Sequence, residues 1–299
     1  RSRALRSGYF IFITPALVCP ALMPIMYKIK PGNLLFPGFI FLFYNVKNLR
    51  ISSLTLKDTS TFSVVLDKVS YYTVDNITFD FNYGNPFAAC MDGIHICGNC
   101  HFGEITNLKG ACYDDLVAIN GDEGSSGPIT NLKVSGIYAE DCHSAVRFLS
   151  FKSPMEKIHI SDIYGSFYQY CISFSKYYSV SPYPGLYDAI TIDNVYARKA
   201  KLLPVYNKSA NQPAYPLIEV QTGVKIKHLK ISDVYRREYI NPVETMRIYA
   251  GAEVDSLILE NISTENHTQK GEMPILVNKG IIGRLVAENI MENGEAVTL

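Results

Sequence analysis

A short pattern of apolar and polar residues recurs nine times along the chain. Each copy has two apolar residues separated by one other residue, then two residues that often include Asn, Asp, Ser or Gly, and a closing Val, Ile or Leu. The copies read LRISSL (49–54), YTVDNI (72–77), GEITNL (103–108), LKVSGI (132–137), IHISDI (158–163), ITIDNV (190–195), LKISDV (229–234), LILENI (257–262) and RLVAENI (284–290). Because the copies are short, alternating and rich in β-branched residues, they predict β-strands.

The spacing of the copies predicts how these strands are arranged. Their closing residues are separated by 23, 31, 29, 26, 32, 39, 28 and 28 positions, with no helical pattern between them. Repeats of this length are typical of a solenoid in which each coil lies on the preceding one, roughly 4.8 Å away. We therefore predict an all-β fold, a single-stranded right-handed parallel β-helix of about nine or more coils. A leucine-rich repeat is the alternative, but it needs a shorter period and a Leu-dominated consensus.

The recurrent Asn and Asp before the closing residue predict tight bends within the coils. Asn76, Asn194 and Asn261 are examples. Their short polar side chains can hydrogen-bond nearby backbone and tolerate backbone angles that most residues avoid. Because the repeats continue through most of the chain, we expect one domain over residues 1–299, in which residues 1–34 are uncertain.

An apolar stretch without charge, residues 8–26, precedes the repeats. Three arginines precede it and three prolines interrupt it: Arg1, Arg3, Arg6, Pro15, Pro20 and Pro24. It has the basic and apolar parts of a secretory signal, and its length would also suit a membrane span. A third interpretation is that it forms early strands of a solenoid lacking its N-terminal coils or cap. Since the prolines argue against a regular helix, we expect no membrane span in the mature domain. We also expect an extracellular or periplasmic location, as for a secreted protein.

Composition and charge narrow the class of protein. Of the 299 residues, 47% are hydrophobic and 19% are charged, which indicates a folded chain with a substantial core. The 28 basic and 28 acidic residues give a formal net charge of zero, so no nucleic-acid partner is expected. Seven cysteines, an odd number in a chain of this length, do not indicate a disulfide framework.

Residues 97–101 read CGNCH, the spacing that attaches a c-type haem, and Cys97, Cys100 and His101 also offer three zinc ligands. A structural zinc site needs four ligands, and no second cysteine pair lies nearby. We therefore predict a turn between two strands with partly buried thiols, no cofactor and no metal ion. Four other cysteines recur at about the repeat length, which predicts a buried ladder with one thiol per coil: Cys90, Cys112, Cys142 and Cys171.

A set of acids also recurs at about the repeat length. Asp92 is followed 22 residues later by Asp114 and its neighbour Asp115, and His143 follows Asp115 after 28 residues. We expect stacked coils to bring the three carboxylates and the imidazole onto one face. Carboxylates in contact repel, so at least one should hold its proton to higher pH. Glycosidic cleavage requires such a set, because one group protonates the leaving oxygen and another activates water.

These motifs resemble those of glycoside hydrolase family 28, the polygalacturonases and rhamnogalacturonases, whose fold is a right-handed β-helix. The resemblance lies in DGI (92–94), DDLVAIN (114–120) and the histidine in CHSAVRFLS (142–150). The stretch 34–58 is similar to the segment that leads into the site in that family. In motif terms the resemblance covers roughly residues 35–180, and the repeats extend it to the end of the chain.

The resemblance implies metal-free, inverting hydrolysis of a pectin-like polysaccharide. Asp114 would be the general acid, Asp92 and Asp115 would position and deprotonate the attacking water, and His143 would support the acid or the sugar. Inversion further predicts carboxyl groups about 6.5 to 9.5 Å apart across the cleaved bond.

The residues that would bind the substrate depart from the family pattern. The basic R-I-K motif, which binds the uronate carboxylate in the family, is absent, and Ser173 lies near where its arginine would be. Arg147 and Lys176 are candidates to replace it, and Glu123 is a candidate to reach the cleft. The tyrosines near residue 170 could stack on sugars or be outward-facing strand residues: Tyr168, Tyr170, Tyr177 and Tyr178.

We therefore expect a glycosidase that acts on a plant-type or other acidic polysaccharide. Two other classes stay open. A polysaccharide lyase of the same fold would need calcium held by several oxygens and a basic residue that removes a proton. A non-catalytic β-helix of the tailspike or adhesin type would bind glycans without turnover, since a fold alone does not determine function. The sequence gives no indication of the oligomeric state.

Overall fold

The computed structural model describes residues 39–59, 61–81, 91–176, 181–201 and 215–299, and these form nineteen β-strands and no helix. The apolar stretch 8–26 and the uncertain residues 1–34 lie outside the described residues, as do Cys90, Tyr177 and Tyr178. In the part of the chain that the structure describes, no helix is long and apolar enough to cross a membrane.

The chain alternates between short and long strands. The short strands are β1 (Phe41–Tyr44), β3 (Val64–Asp67), β5 (Ile94–Ile96), β7 (Asp115–Asn120), β9 (Ser144–Ser150), β11 (Ile172–Lys176), β13 (Ile218–Val220), β15 (Met246–Ile248) and β17 (Leu276–Asn278). The long strands are β2 (Lys47–Lys57), β4 (Ser70–Asp80), β6 (His101–Ala111), β8 (Ile129–Cys142), β10 (Pro154–Phe167), β12 (Gly185–Lys199), β14 (Val224–Glu238), β16 (Glu253–Asn266) and β18 (Ile281–Glu292). The chain ends with β19 (Glu295–Ala296).

The two kinds of strand form two separate parallel sheets. The short-strand sheet has the order β1-β3-β5-β7-β9-β11-β13-β15-β17, and the long-strand sheet runs from β2 through the even-numbered strands to β18. β19 joins the end of the long-strand sheet by an antiparallel pairing with β18. The prediction of an all-β solenoid of parallel coils is therefore confirmed. The solenoid has about seven turns, slightly fewer than the nine or more predicted.

The repeat found in the sequence is the register of the long-strand sheet. Its nine closing residues pair with one another from coil to coil in a single column: Leu54, Ile77, Leu108, Ile137, Ile163, Val195, Val234, Ile262 and Ile290. All but Leu54 are buried, and the column belongs to one continuous hydrophobic core. Each inward residue thus packs on its counterparts in the coils above and below.

The polar residue before each closing residue adopts the left-handed backbone conformation, as predicted. Asn76, Asn194 and Asn261 have φ values of 54°, 54° and 53°, and the other repeats place Ser53, Asn107, Gly136, Asp162, Asp233 and Asn289 there, also with positive φ. Their side chains bond across coils: Asn289 donates to Asn261, and Asn261 donates to Asp233. Asn and Asp are favoured here because they tolerate this conformation and also offer a hydrogen-bonding group to the next coil.

The short-strand sheet has a second face that the core does not use. In β5, Ile94 and Ile96 belong to the core, and the intervening His95 points to the opposite face. The same column continues through Ala118, Arg147, Ser173, Glu219 and Arg247 in successive coils. Apart from Ala118, this row consists of polar and charged side chains, and the acids lie at its edge.

Candidate active site

The predicted acids lie where successive coils enter the short-strand sheet. Asp92 comes two residues before β5, Asp115 is the first residue of β7, and His143 directly precedes β9. Since equivalent positions of stacked coils are neighbours in space, these side chains come together as the sequence analysis expected. Tyr170, two residues before β11, adds a fourth coil to the site.

The structure corrects which acid is equivalent to Asp92. The spacing of 22 residues suggested Asp114 as the counterpart of Asp92 in the next coil. However, Ile94 pairs with Val117, so the residue two positions before Val117, Asp115, lies opposite Asp92. The backbone N–H of Asp115 also donates to Asp92 Oδ1 at 3.2 Å. Spacing alone could not distinguish Asp114 from Asp115, because the coils differ in length and a difference of one residue does not show in the sequence.

The three carboxylates form one close group. One oxygen from each of Asp92, Asp114 and Asp115 lies within 4.8 Å of the others. Asp92 and Asp115 are only 3% and 2% exposed, whereas the side chain of Asp114 is 25% exposed. These closest oxygens are nearer to one another than the about 6.5 to 9.5 Å expected between the acid and base of an inverting enzyme, so the prediction of inversion lacks this support.

Burial and repulsion together raise the pKa values of the inner acids. Burial raises the pKa of Asp92 well above its ordinary value, and the nearby Asp114 and Asp115 raise it further. Burial and Asp114 raise the pKa of Asp115 to about 6, although Arg147, His143 and Tyr170 oppose the shift. The group therefore retains a proton at a pH where ordinary carboxyl groups are ionised.

Arg147 and Tyr170 both contact Asp115. The Arg147 guanidinium lies 3.6 Å from Asp115 Oδ2, and the Tyr170 hydroxyl donates to Asp115 Oδ1 at 3.0 Å. Burial opposes the charge on Arg147, but Tyr170 and the carboxylates raise its pKa, so it stays cationic. Tyr170 is only 3% exposed, which places it against the acids and leaves little of its ring to stack on a sugar. Tyr168 is half-buried, with its ring 6.1 Å from the His143 ring.

His143 lies beside the most accessible acid. Its Nδ1 is 3.8 Å from Asp114 Oδ1 and 3.0 Å from the Ser144 hydroxyl. Burial lowers the pKa of His143 to about 4, so the imidazole is neutral near pH 7. A neutral imidazole can accept or donate a hydrogen bond next to Asp114 without adding charge.

The other two predicted substrate-binding residues are held by partners other than the three aspartates. Lys176 is at the end of β11, and its amine donates to the Ser181 carbonyl. Glu123 follows β7, where it accepts a hydrogen bond of 2.6 Å from the Asn120 amide. Its Oε2 is 3.5 Å from His95 Nε2.

His95, which contacts Asp92, was not predicted from the sequence as a site residue. Its Nδ1 is 2.7 Å from Asp92 Oδ2, the shortest contact that any predicted site acid makes with a histidine among the described residues. The alternation in β5 gave a signal, because IHI places one polar residue between two core residues, three positions after Asp92.

The cysteines are structural. Cys97 and Cys100 are fully buried rather than partly buried, and Cys100 Sγ contacts the backbone of Leu66 and Val69. Cys112, Cys142 and Cys171 of the predicted ladder are buried and form no disulfide, and the Sγ atoms of Cys112 and Cys142 are 3.7 Å apart. Among the described residues, the three aspartates are the one group of three or more His, Cys, Asp or Glu side chains whose ligand atoms converge.

Comparison of the chain with protein-family models, with curated proteins and with solved structures finds no match. What the structure supports is the fold, a parallel β-solenoid of the pectin-lyase-like type.

Proposed function

We propose that this protein is a glycoside hydrolase that cleaves a pectin-like or other acidic polysaccharide by acid/base catalysis. The observation that carries the proposal is the group formed by Asp92, Asp114 and Asp115, with one oxygen of each within 4.8 Å of the others and the pKa of Asp115 raised to about 6. Such a group can supply a proton and accept one at the same pH, which is the requirement of glycosidic cleavage.

The exposure of the three acids supports their division of labour. Asp114, the most exposed, donates a proton to the leaving glycosidic oxygen as the bond to the anomeric carbon breaks. Asp92 and Asp115 bind a water molecule and take its proton as the water oxygen bonds to that carbon. The neutral His143 beside Asp114 orients the acid or a sugar hydroxyl. The proton taken up by Asp92 and Asp115 is then released to solvent, and Asp114 regains a proton from solvent.

The charges around the acids favour an acidic or hydroxyl-rich substrate. Among the described residues, Arg147 is the cation paired with one of these acids, and its side chain is 34% exposed, so part of the guanidinium is available to a substrate carboxylate. Lys176 is a more distant candidate on the next strand of the same sheet. We also expect the protein to act outside the cytoplasm, where such polymers occur, which detection in the culture medium or periplasmic fraction would test.

The test is release of reducing ends from polygalacturonate, rhamnogalacturonan and neutral glycans in the presence of a chelator, with wild type beside Asp114→Asn. We expect release by wild type and a loss of about 100-fold or more in the variant. The anomer of the first product, followed by NMR, tests inversion. A folded wild-type protein that releases nothing from any glycan contradicts the proposal.

Two other functions correspond to other outcomes of the same experiment. Unsaturated products that require added calcium would indicate a lyase, with Arg147 as the basic residue near the acids. Binding of a glycan by wild type without any turnover would indicate a non-catalytic binding module.

A further inference from the structure

A buried histidine that the proposed reaction does not use lies directly behind Asp92. His95 is 0% exposed, and its ring stacks on Phe62 with the centroids 3.9 Å apart and the planes 14° from parallel. The stacking fixes the plane of the imidazole, so both ring nitrogens have fixed directions. Nδ1 is directed at Asp92, and Nε2 is directed at Asn120 and Glu123.

The contacts of His95 indicate where its hydrogen lies. Burial lowers the pKa of His95, so the ring is neutral and carries one N–H. The Asn120 amide lies 3.4 Å from Nε2 and donates to Glu123 at 2.6 Å, so its two hydrogens can serve both acceptors. If the Asn120 amide serves Nε2 in this way, the hydrogen of His95 is on Nδ1 and is donated to an ionised Asp92 at Oδ2, 2.7 Å away. The opposite tautomer would require a protonated Asp92, because two acceptors would otherwise face each other.

The surroundings of Asp92 explain why this donor matters. A group that activates water must be ionised, yet burial and nearby acids favour the protonated form of Asp92. A hydrogen bond donated to a carboxylate favours its charged form. The ionisable groups that interact with Asp92 or His95 come from the end of β3, the residue after β5, the segment between β6 and β7, the start of β7, the loop after β7 and the middle of β9: Asp67, Cys97, Cys112, Asp114, Asp115, Glu123 and Arg147. Arg147 is the one cation among them.

We propose that His95 is a positioning residue that holds Asp92 ionised and turned toward the attacking water, with Asn120 and Glu123 fixing the ring. This inference rests on the proposed function. The arrangement follows a general requirement of acid/base sites, in which the reacting group is oriented by a neighbour that is itself held by further hydrogen bonds. His95 does not touch the substrate, since its side chain is fully buried.

The kinetic test compares His95→Leu, which removes the donor, with His95→Asn, whose amide replaces Nδ1–H. For His95→Leu we expect kcat to fall at least about 10-fold with KM nearly unchanged, and the acidic limb of the kcat profile to move up by about one pH unit. His95→Asn should recover most of both. The matched control is His159→Leu, because His159 also contacts an aspartate, Asp193, at 2.6 Å but lies on the long-strand sheet.

A second measurement tests the effect of His95 on Asp92 without depending on turnover. The carboxyl carbon of Asp92, followed by ¹³C NMR in wild type and in folded His95 variants, should titrate at higher pH in His95→Leu and close to wild type in His95→Asn. The wild-type imidazole should show its N–H on Nδ1. Unchanged Asp92 titration, or an N–H on Nε2, overturns the role of His95, whereas absence of hydrolysis by wild type overturns only the proposed function.

Discussion

Asp92, Asp114 and Asp115 lie close enough for each carboxylate to oppose the ionisation of the others. Burial adds to this effect, because Asp92 and Asp115 have almost no contact with water. Groups arranged in this way reduce the stability of the folded chain at neutral pH in exchange for a proton that is available to a substrate. The same residues should therefore affect activity and stability in opposite directions.

Asp114→Asn tests this opposition. The pKa of Asp115 is raised from 3.8 to about 6, so its contribution to stability is present at low pH and is lost as pH rises through that range. Removing the charge of Asp114 lowers that pKa, and we expect a gain of about 1 kcal/mol above pH 6 that shrinks below pH 4. Thermal unfolding of both proteins from pH 3.5 to 8 measures the difference. The exposed Asp255→Asn is the control, and a variant that is less stable than wild type at pH 8 contradicts the prediction.

Arg147→Gln tests the effect of a nearby cation, which lowers the pKa of Asp115 whereas Asp114 raises it. The guanidinium lowers the pKa of Asp115, so its removal should raise that pKa above about 6. If Asp115 acts ionised, the acidic limb of the kcat/KM profile should move to higher pH by about one unit. Arg237→Gln is the control, because Arg237 is a mostly exposed arginine paired with Glu265. An acidic limb that stays at the same pH in folded Arg147→Gln would separate Asp115 from catalysis.

At the scale of strands, the left-handed residue of a repeat both bends the backbone and, as at Asn261, hydrogen-bonds to the neighbouring coils. Asn261 has a φ of 53°, donates to Asp233 at 2.9 Å and accepts from Asn289 at 2.8 Å. A residue with a Cβ but no polar group would lose both hydrogen bonds and keep the strained conformation.

Asn261→Ala should therefore destabilise the protein by about 2 kcal/mol, as the sum of the left-handed conformation and the lost hydrogen bonds. Asn261→Gly is the matched comparison, because glycine adopts positive φ freely but makes no side-chain hydrogen bond. Its cost should be smaller by about 1 kcal/mol. Urea unfolding of the three proteins gives both values, and equal costs for the two variants would show that the conformation contributes nothing.

The elements differ in how well the sequence predicts them. The long strands were predictable because each combines an apolar alternation with a polar residue at a fixed place, and all nine closing residues pair as expected. The short strands were not, since a strand such as β15 has three residues and no distinctive composition. In the site, residue types and coil spacing predicted that Asp92 and Asp115 lie close together, but they did not predict the register in which the two coils pair. The role of His95 was not predicted, because Asn120, which contacts it, and Phe62, on which it stacks, belong to other coils.

At the scale of the whole molecule, columns of identical or similar side chains run along the solenoid. Ile192 pairs with Ile160 in the preceding coil and Ile231 in the next, and all three are at most 1% exposed. Each coil is therefore stabilised mainly by its immediate neighbours, so damage to one coil should weaken those next to it first.

Ile192→Ala should destabilise the protein by about 2 to 5 kcal/mol, because it removes buried methyl groups and leaves a cavity. Thr191→Ala, one residue away on the opposite face of β12, is the control and should cost about 0.5 kcal/mol or less. Hydrogen exchange should show the largest loss of protection in β10, β12 and β14. Uniform loss along the entire solenoid would contradict the nearest-neighbour description.

The acids, Arg147 and Tyr170 are contributed by four successive coils, and this has a consequence for biosynthesis. While the polypeptide emerges from the ribosome, Asp92 appears first, and the two later acids can join it only when β7 has settled on β5. Arg147 arrives with β9, and Tyr170 arrives last, just before β11. A nascent chain halted before β9 would hold three carboxylates without Arg147, so the candidate site is completed late and in one direction along the growing polypeptide.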